Sequence, residues 1–309
     1  MNDTSNNKKQ YFNDSSDIDF SEVIKIIYAS KFFILIFSTI VTLLFGFISI
    51  SIPDKYTSSV LLKVNSDTEE KQNITGLGAL SGIAGINDTG NIKANVFIET
   101  VKSKIIIREI LNENKDFKQK IIAAKRYDYE ADKILYKRNI FNNDKKTWVR
   151  NPPKGRIAEP SYIEIHEFLS SEIIVDQNSE TGFILVSYSH ISPKFSHLFL
   201  DTLINTVNQI TKRNDLMDSN KALDYLYERQ KNVTQSDIRS SINNLIIEQL
   251  KINMLANINQ FYLVTPVDPA VVPELKSSPN RILIVTFGFI FGLFLSISVC
   301  LIRDLYKKS

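Results

Sequence analysis

Two long runs without a charged residue dominate the hydropathy pattern of the chain, one near each end. They are residues 32–52, FFILIFSTIVTLLFGFISISI, and residues 282–302, ILIVTFGFIFGLFLSISVCLI. At about 1.5 Å rise per residue, each run extends roughly 31 Å as a helix, close to the ~30 Å hydrocarbon core of a bilayer. A helix also satisfies its backbone hydrogen bonds internally, as lipid requires. We therefore predict two transmembrane helices, with residues 53–281 as one domain between them.

The charges outside these runs predict the orientation of the chain. Residues 1–31 carry four lysines, and residues 303–309 carry one arginine and two lysines. Short basic ends favour the cytoplasm, whereas long domains cross a membrane largely regardless of their charge. The first run is longer than the apolar part of a cleaved signal peptide, and no clear A-x-A site follows it. We therefore predict a retained anchor, with two cytoplasmic tails and the domain on the opposite side.

Between the two runs, the spacing of apolar residues predicts a domain that contains both strands and helices. Residues 56–64 alternate as a strand does, and residues 172–176 and 182–189 are typical of a β-hairpin. Residues 92–114 have helical spacing, and the charged residues 115–150 are predicted to be helical in pieces. Because the first strand lies far from the last two in sequence, the pattern predicts an α/β or α+β fold.

The longest regular feature follows the hairpin. Pro193 suits the first position of a helix, a serine before it suits the N-cap, and no glycine or proline follows until after residue 261. We predict one long extended helix over residues 193–261, with a break near the Asn- and Asp-rich residues 211–219. Leu226 and Leu245 lie on its apolar stripe. One compact core cannot bury so long a stripe, so these leucines are predicted to pack helices together, partly between copies of the chain.

A proline-rich segment stands directly before the second run. Its prolines are Pro266, Pro269, Pro273 and Pro279. Proline fixes φ and disfavours helix in the residue before it, so the long helix must end and an extended connector must lead to the membrane. Gly288 and Gly292 follow at G-x-x-x-G spacing, which lets helices approach closely in lipid. We predict that these prolines and glycines seat the domain on the membrane and pack the spans.

Composition gives little support for catalysis or metal binding. The only cysteine, Cys300, lies in the second run, so a zinc site with any of the three histidines would need carboxylates. The chain has no G-x-S-x-G motif, and its net charge of +3 gives no reason to expect nucleic acid. The glycine-rich residues 76–90 are predicted to be a loop and not a phosphate cradle. We predict no catalytic residue, no cofactor and no metal, although sequence alone leaves a carboxylate pair of a glycan-processing enzyme open.

Four stretches of the chain share their features with one known family. They are IDFSEVIKIIYASKFFIL at 18–35, IPDKYTSSVLL at 52–62, LGALSGIAG at 77–85, and DPAVVPELKSSPNR at 268–281 with the glycines after it. In these stretches and in the order of its spans, the chain resembles the polysaccharide co-polymerases, specifically the Wzz-type chain-length determinants. The proline-rich stretch is the most specific of the four.

The resemblance implies a protein that is not an enzyme. Such proteins form homo-oligomeric rings in the inner membrane, with both termini in the cytoplasm and a periplasmic domain made of an α/β base and a long helix. They set the modal number of repeats that a partner, a Wzy-type polymerase, adds to a lipid-linked glycan, here most simply the lipopolysaccharide O-antigen. Seven residues follow the second run and no G-x-x-x-x-G-K-[ST] motif occurs, which places the resemblance with the kinase-free branch.

Two other classes of membrane protein remain open at this point. A two-span membrane sensor with a periplasmic ligand-binding domain shares the layout, but it needs an output domain after the second span. A periplasmic adaptor of an export pump usually has one anchor, and this chain is predicted to have two.

Overall fold

The computed structural model describes residues 20–65 and 89–308. Its helices are α1 (Phe20–Ala29), α2 (Lys31–Ser51), α3 (Thr89–Val101), α4 (Lys104–Glu113), α5 (Phe117–Ile122), α6 (Tyr162–Leu169), α7 (Pro193–Lys231), α8 (Ser236–Ile258) and α9 (Arg281–Lys308). Its strands are β1 (Tyr56–Val64), β2 (Ala124–Asp128), β3 (Lys133–Tyr136), β4 (Phe141–Asn142), β5 (Thr147–Trp148), β6 (Ile173–Gln177), β7 (Ile184–His190) and β8 (Val264–Asp268). The chain divides into two compact units, one made of residues 1–52 and 279–309, the other of residues 53–278.

The unit formed by the two ends of the chain is built on the apolar helices α2 and α9. Lys31–Ser51 and Arg281–Asp304 are both long and apolar enough to cross a membrane. Only 17% of the most apolar 18-residue stretch of each helix is buried. A core helix of a water-soluble protein would bury most of such a surface, so these exposed apolar faces agree with a lipid environment.

A four-stranded antiparallel sheet organises the unit of residues 53–278. Its strand order is β6-β7-β1-β8, so the first strand of the domain lies inside the sheet. Along β1 the side chains of Tyr56, Ser58, Val60 and Leu62 are buried, which confirms the predicted alternation. β6 and β7 form the predicted hairpin. In its turn Gly182 has a φ of 72°, a left-handed conformation that glycine adopts without steric cost.

The first half of α7 packs on this sheet and forms the core with it. Ser192 caps the helix, because its Oγ accepts a hydrogen bond from the backbone N–H of Phe195 at 3.3 Å, as predicted. Phe199, Leu203 and Val207 on the apolar stripe are fully buried in the core, together with residues of β1, β7, α3, α4 and α6. The fold class is thus the predicted one, an α+β domain with a long helix, flanked in sequence by two apolar helices.

The prediction of one helix over residues 193–261 is wrong. α7 ends at Lys231, residues 232–235 reverse the chain, and α8 returns antiparallel beside α7. Ser219 Oγ donates to the carbonyl of Gln249 at 2.8 Å, and Gln230 Nε2 donates to Asn243 Oδ1 at 2.5 Å. The reversal occurs at Asn-Val-Thr, three residues of low helix propensity.

The break predicted near residues 211–219 is also wrong, because α7 is continuous there. The polar residues that suggested a break are used in contacts to other elements. Ser219 bonds the returning helix, and the carboxylate of Asp215 accepts a hydrogen bond from the Tyr262 hydroxyl at 2.7 Å. The 39 residues of α7 extend about 58 Å at 1.5 Å per residue.

Two further segments differ from their predicted structure. Residues 115–150 contain only one short helix, α5, followed by the antiparallel pairs β2–β3 and β4–β5. Asp128 Oδ1 accepts the N–H groups of the turn after β2, and Asn142 Oδ1 does the same after β4, so these side chains stabilise turns and not helix ends. The loop predicted over 76–90 lies outside the described residues except for its last two, which belong to α3.

Candidate functional site in the paired spans and the proline segment

The proline segment, defined here as residues 263–278, begins as the edge strand β8. This strand pairs with β1 through Val64 opposite Val264 and Leu62 opposite Pro266, with a register shift between Leu61 and Leu62. Proline lacks a backbone N–H donor and is therefore suited to an edge strand. The sequence predicted an extended connector here but missed that it forms part of the sheet.

Hydrogen bonds continue along the rest of the proline segment. Ser58 Oγ donates to the carbonyl of Val271 at 2.9 Å. Nearer its end, the Lys55 N–H donates to the Ser278 carbonyl and the Ser277 N–H donates to the Lys55 carbonyl, both at 2.9 Å. The first and last residues of the domain are thus hydrogen-bonded side by side.

Asn208 of α7 holds the start of the proline segment against the helix. Its side chain is 4% exposed. Its Oδ1 accepts the backbone N–H groups of Leu263 at 2.8 Å and Val264 at 3.1 Å. Its Nδ2 donates to the carbonyls of Val264 and Ile204, both at 3.2 Å. Both ends of the buried amide are satisfied, so the side chain joins the helix to β8 without an unpaired polar group.

No pattern in the sequence singled out Asn208. The available signal was a polar residue directly after Val207 and two positions before Ile210, within the apolar stripe of a helix. Such a residue is buried only if partners satisfy it, and here the partners lie 55 and 56 residues away in sequence.

The prolines and glycines that were predicted to seat the domain on the membrane are divided between the two units. Pro266, Pro269 and Pro273 lie in the proline segment, where Pro269 is exposed and the other two are half-buried. Pro279 is half-buried and begins the terminal unit, two residues before α9.

The two glycines of α9 lie against α2 of the same chain. A Cβ atom on Gly288 would lie 2.6 Å from both Cβ and Cγ of Phe45. A Cβ atom on Gly292 would lie 3.0 Å from the Val41 Cβ and 3.1 Å from the Ser38 Cα. Real Cβ atoms essentially never come as close as 2.6 Å, so a side chain at Gly288 would force the helices to shift. The contacts at Gly292 are tighter than most real Cβ contacts, so a side chain there would displace its neighbours by a few tenths of an ångström.

Aromatic rings surround this close approach. The Phe45 ring centroid lies 6.3 Å from that of Phe287 and 6.2 Å from that of Phe291, one turn apart on α9. These distances are typical of favourable aromatic pairs. The Phe45 side chain therefore fills the groove that Gly288 leaves open.

The two leucines predicted for helix packing have different surroundings. Leu226 is half-buried and packs against a small cluster of Leu223, Ile242 and Ile246 between α7 and α8. Leu245 is 42% exposed and does not belong to this cluster. Leu226 therefore contributes to the packing of α7 against α8, whereas Leu245 remains largely exposed.

His190 is buried at the end of β7 and has defined partners. Its Nδ1 accepts the backbone N–H of Ser192 at 3.0 Å, so its Nε2 carries the proton and donates to the Lys120 carbonyl at 2.9 Å. Burial lowers the pKa of His190 to about 4, with the charges of Lys55 and Lys120 acting in the same direction. Among the residues that the structure describes, no group of three or more potential metal ligands occurs.

This histidine is expected to make the stability of the domain dependent on pH. Its pKa falls from 6.5 in the unfolded chain to about 4 in the folded one. Between these values the unfolded chain binds a proton that the folded chain does not, so acidification from pH 6.5 to pH 4 is expected to cost about 3 kcal/mol of unfolding free energy through this group. Denaturant titrations of the full chain in detergent across this range measure the loss. His190→Gln should flatten the dependence, and an unchanged slope in that variant would assign it to other groups.

One family model matches the N-terminal third of the chain. Residues 16–114 match the family model described as "Wzz: Chain length determinant protein". This match confirms the resemblance to the Wzz-type chain-length determinants, and it runs from before α1 through β1 to the end of α4. No curated protein sequence matches the chain significantly.

Two solved structures are similar to the chain. One is a full-length bacterial polysaccharide co-polymerase, with 12% identity, coverage of 94% of this chain and 99% of that one, and a TM-score of 0.39. The other is a fragment of WzzB, a polysaccharide co-polymerase from Salmonella Typhimurium, with 14% identity, coverage of 73% and 100%, and a TM-score of 0.28.

Proposed function

We propose that this chain regulates the modal chain length of a surface polysaccharide made by a Wzy-type polymerase, with the lipopolysaccharide O-antigen as the glycan. It acts as a non-catalytic, homo-oligomeric scaffold in the inner membrane, with both termini in the cytoplasm and residues 53–281 in the periplasm. The observation that carries this proposal is the family match over residues 16–114 in a chain that also has two apolar helices at its ends.

Contacts within each of the two units support a scaffold. The glycines of α9 allow α2 and α9 to pack closely, and residues 55–65 are hydrogen-bonded along the proline segment. In our proposal the four prolines and two glycines predicted from the sequence fix how the domain is held on its spans, and this seating controls the length of the glycan.

An exposed apolar surface on α8 supports self-association. Six large apolar side chains of this helix are more than two-fifths exposed: Ile238, Leu245, Ile247, Leu250, Met254 and Ile258. Exposed apolar surface concentrated on one element is typical of an interaction site. We take a second copy of the chain as the partner of this surface.

Glutamate substitutions at Leu226 and Leu245 are expected to distinguish an effect on folding stability from an effect on self-association. Leu226→Glu places a charge in the half-buried cluster between α7 and α8 and should lower the unfolding free energy by about 2 kcal/mol. Leu245→Glu changes an exposed position, so it should leave unfolding unchanged but weaken self-association. Denaturant titration and cross-linking in detergent measure the two effects. Intact oligomers of the Leu245→Glu variant would argue against α8 as the interface.

The proposed function is tested by a gel of surface glycans from cells that lack the gene and from cells in which it has been restored. A broad distribution of lengths in the first and a clustered band in the second are expected. An identical distribution in both would contradict the proposal and favour the sensor or export adaptor.

A further inference from the structure

An open cleft lies between the β2–β3 hairpin and the first turns of α7. Its volume is about 400 Å³, within the ~300–1,000 Å³ of typical ligand sites. The side chains that could contact a polar ligand there are Lys120, Tyr127, Lys133, Tyr136, Asn143 and Lys194. The cleft thus combines aromatic rings, an amide and three ammonium groups.

One of these ammonium groups is held by a network across the cleft. Asp132 accepts a hydrogen bond from the Tyr127 hydroxyl through one carboxylate oxygen and pairs with Lys194 through the other. These bonds lower the pKa of Asp132, and burial with the same hydrogen bond raises the pKa of Tyr127 to about 12, so both keep these roles at neutral pH. Asp132 also has a φ of 50°, a left-handed conformation that is uncommon outside glycine. The network places the Lys194 ammonium beside Asp132, where both side chains remain largely exposed.

The second ammonium group is also paired with a carboxylate, and the third is not. Lys120 lies 5.6 Å from the ring centroids of Phe117 and Phe195 and pairs with Asp116. Lys133 has no carboxylate partner among the residues that the structure describes. Asp128 lies opposite Lys133 across the β2–β3 pair but forms no ion pair with it, so Lys133 is the lysine of the cleft whose ammonium group has no bound carboxylate in the described part of the chain.

The aromatic ring of Tyr136 lines the same cleft as these lysines. Tyr136 is half-buried, and its ring packs edge-on against Phe141 with centroids 5.6 Å apart, which leaves little freedom to the phenol. A sugar ring has an apolar face of C–H groups that stacks on such a ring, and polar edges that bond to amides and ammonium groups. A carboxylate on the sugar would satisfy the unpaired lysine. Side chains held in place before binding lose less entropy when a ligand arrives.

We propose that this cleft binds an acidic saccharide, with a uronate carboxylate at Lys133 and a sugar ring against Tyr136. The proposal rests on the proposed function, because the natural ligand would be the glycan whose length is controlled. It adds to that function a direct contact between the domain and a charged sugar.

The test is a titration of the full-length protein in detergent with tetragalacturonate and with its methyl ester, which lacks the charge. Trp148 is the only tryptophan, and its ring lies 5.1 Å from Phe141, so its fluorescence reports on this region. Calorimetry gives the affinity. The acid is expected to bind about ten-fold more tightly than the ester, a difference of about 1.4 kcal/mol.

Matched variants locate the interaction. Lys133→Glu should weaken binding of the acid at least as much as esterification does, whereas Lys133→Arg should retain it. Lys251→Glu makes the same change of charge on exposed α8 and should leave binding unaltered. Equal affinity for acid and ester, no binding of either at millimolar concentration, or full displacement by inorganic phosphate would overturn the proposal.

The glycan gel separates the two proposals. If removal of the gene leaves glycan lengths unchanged while tetragalacturonate binds at Lys133, the proposed function is contradicted and the saccharide site is supported. If glycan lengths depend on the gene but the purified protein does not bind the acid, the saccharide site is contradicted and the proposed function is supported.

Discussion

Replacing Asn208 with leucine is expected to lower the unfolding free energy of the domain by about 3 kcal/mol, because it leaves buried backbone groups without partners. Leucine has a similar volume but cannot accept the N–H groups of Leu263 and Val264 or donate to the Val264 carbonyl. Denaturant titration of the full chain in detergent measures the loss. Hydrogen exchange at Leu263 and Val264 should accelerate most, because these amides lose their acceptor.

Asn205 on the same helix provides the matched control. Its side chain is half-buried and donates to the exposed carboxylate of Asp201 at 3.1 Å. Asn205→Leu should therefore change stability by less than 1 kcal/mol, as exposed interactions usually do. If the leucine variants at 205 and 208 were equally stable, the buried amide would not hold the proline segment. Should Asn208→Leu fail to accumulate, Asn208→Ala leaves space for water and the same comparison applies.

Replacing Gly288 and Gly292 together with leucine is expected to alter the length distribution of the glycan while the protein remains in the membrane. The new side chains would collide with Phe45, Val41 and the backbone of Ser38, so α2 and α9 must separate. Overpacking of this kind costs about 1–3 kcal/mol per site. The measurement is a glycan gel from cells in which membrane fractionation confirms normal insertion.

Gly46 on α2 serves as the control for this experiment. A Cβ atom at Gly46 meets nothing within 4 Å, so Gly46→Leu should leave the glycan unchanged. A compensating pair tests the contact itself: Phe45→Ala combined with Gly288→Ala should restore more of the wild-type distribution than Gly288→Ala alone. A wild-type distribution from the inserted leucine double variant would rule out span packing as a determinant of length.

Local patterns predicted much of the fold. The strand at 56–64, the hairpin of β6 and β7, the cap of α7 and the two apolar helices each depend on a few neighbouring residues, and each was confirmed. The end of α7 was not predicted, because Asn232–Val233–Thr234 has no glycine or proline and its low propensity is a weak signal. The return of α8 is stabilised by pairs such as Ser219 with Gln249, which no local pattern reveals.

Local patterns also predicted some features of the candidate site and missed others. The spacing of Gly288 and Gly292 indicated a surface for close helix packing, but the identity of Phe45 as the contacting residue depends on the rotation of two helices about their axes. The prolines indicated an extended segment, but its pairing with β1 depends on residues some 200 positions away. Asn208 was missed for the same reason, since its partners are distant in sequence.

The pairing of Lys55 with Ser277 and Ser278 has a consequence for how such proteins can be recombined. The two ends of residues 53–278 are hydrogen-bonded to each other within this unit, so the unit can be transferred as one piece. A chimera that joins residues 53–278 of this chain to the membrane helices of a relative should therefore retain this pairing.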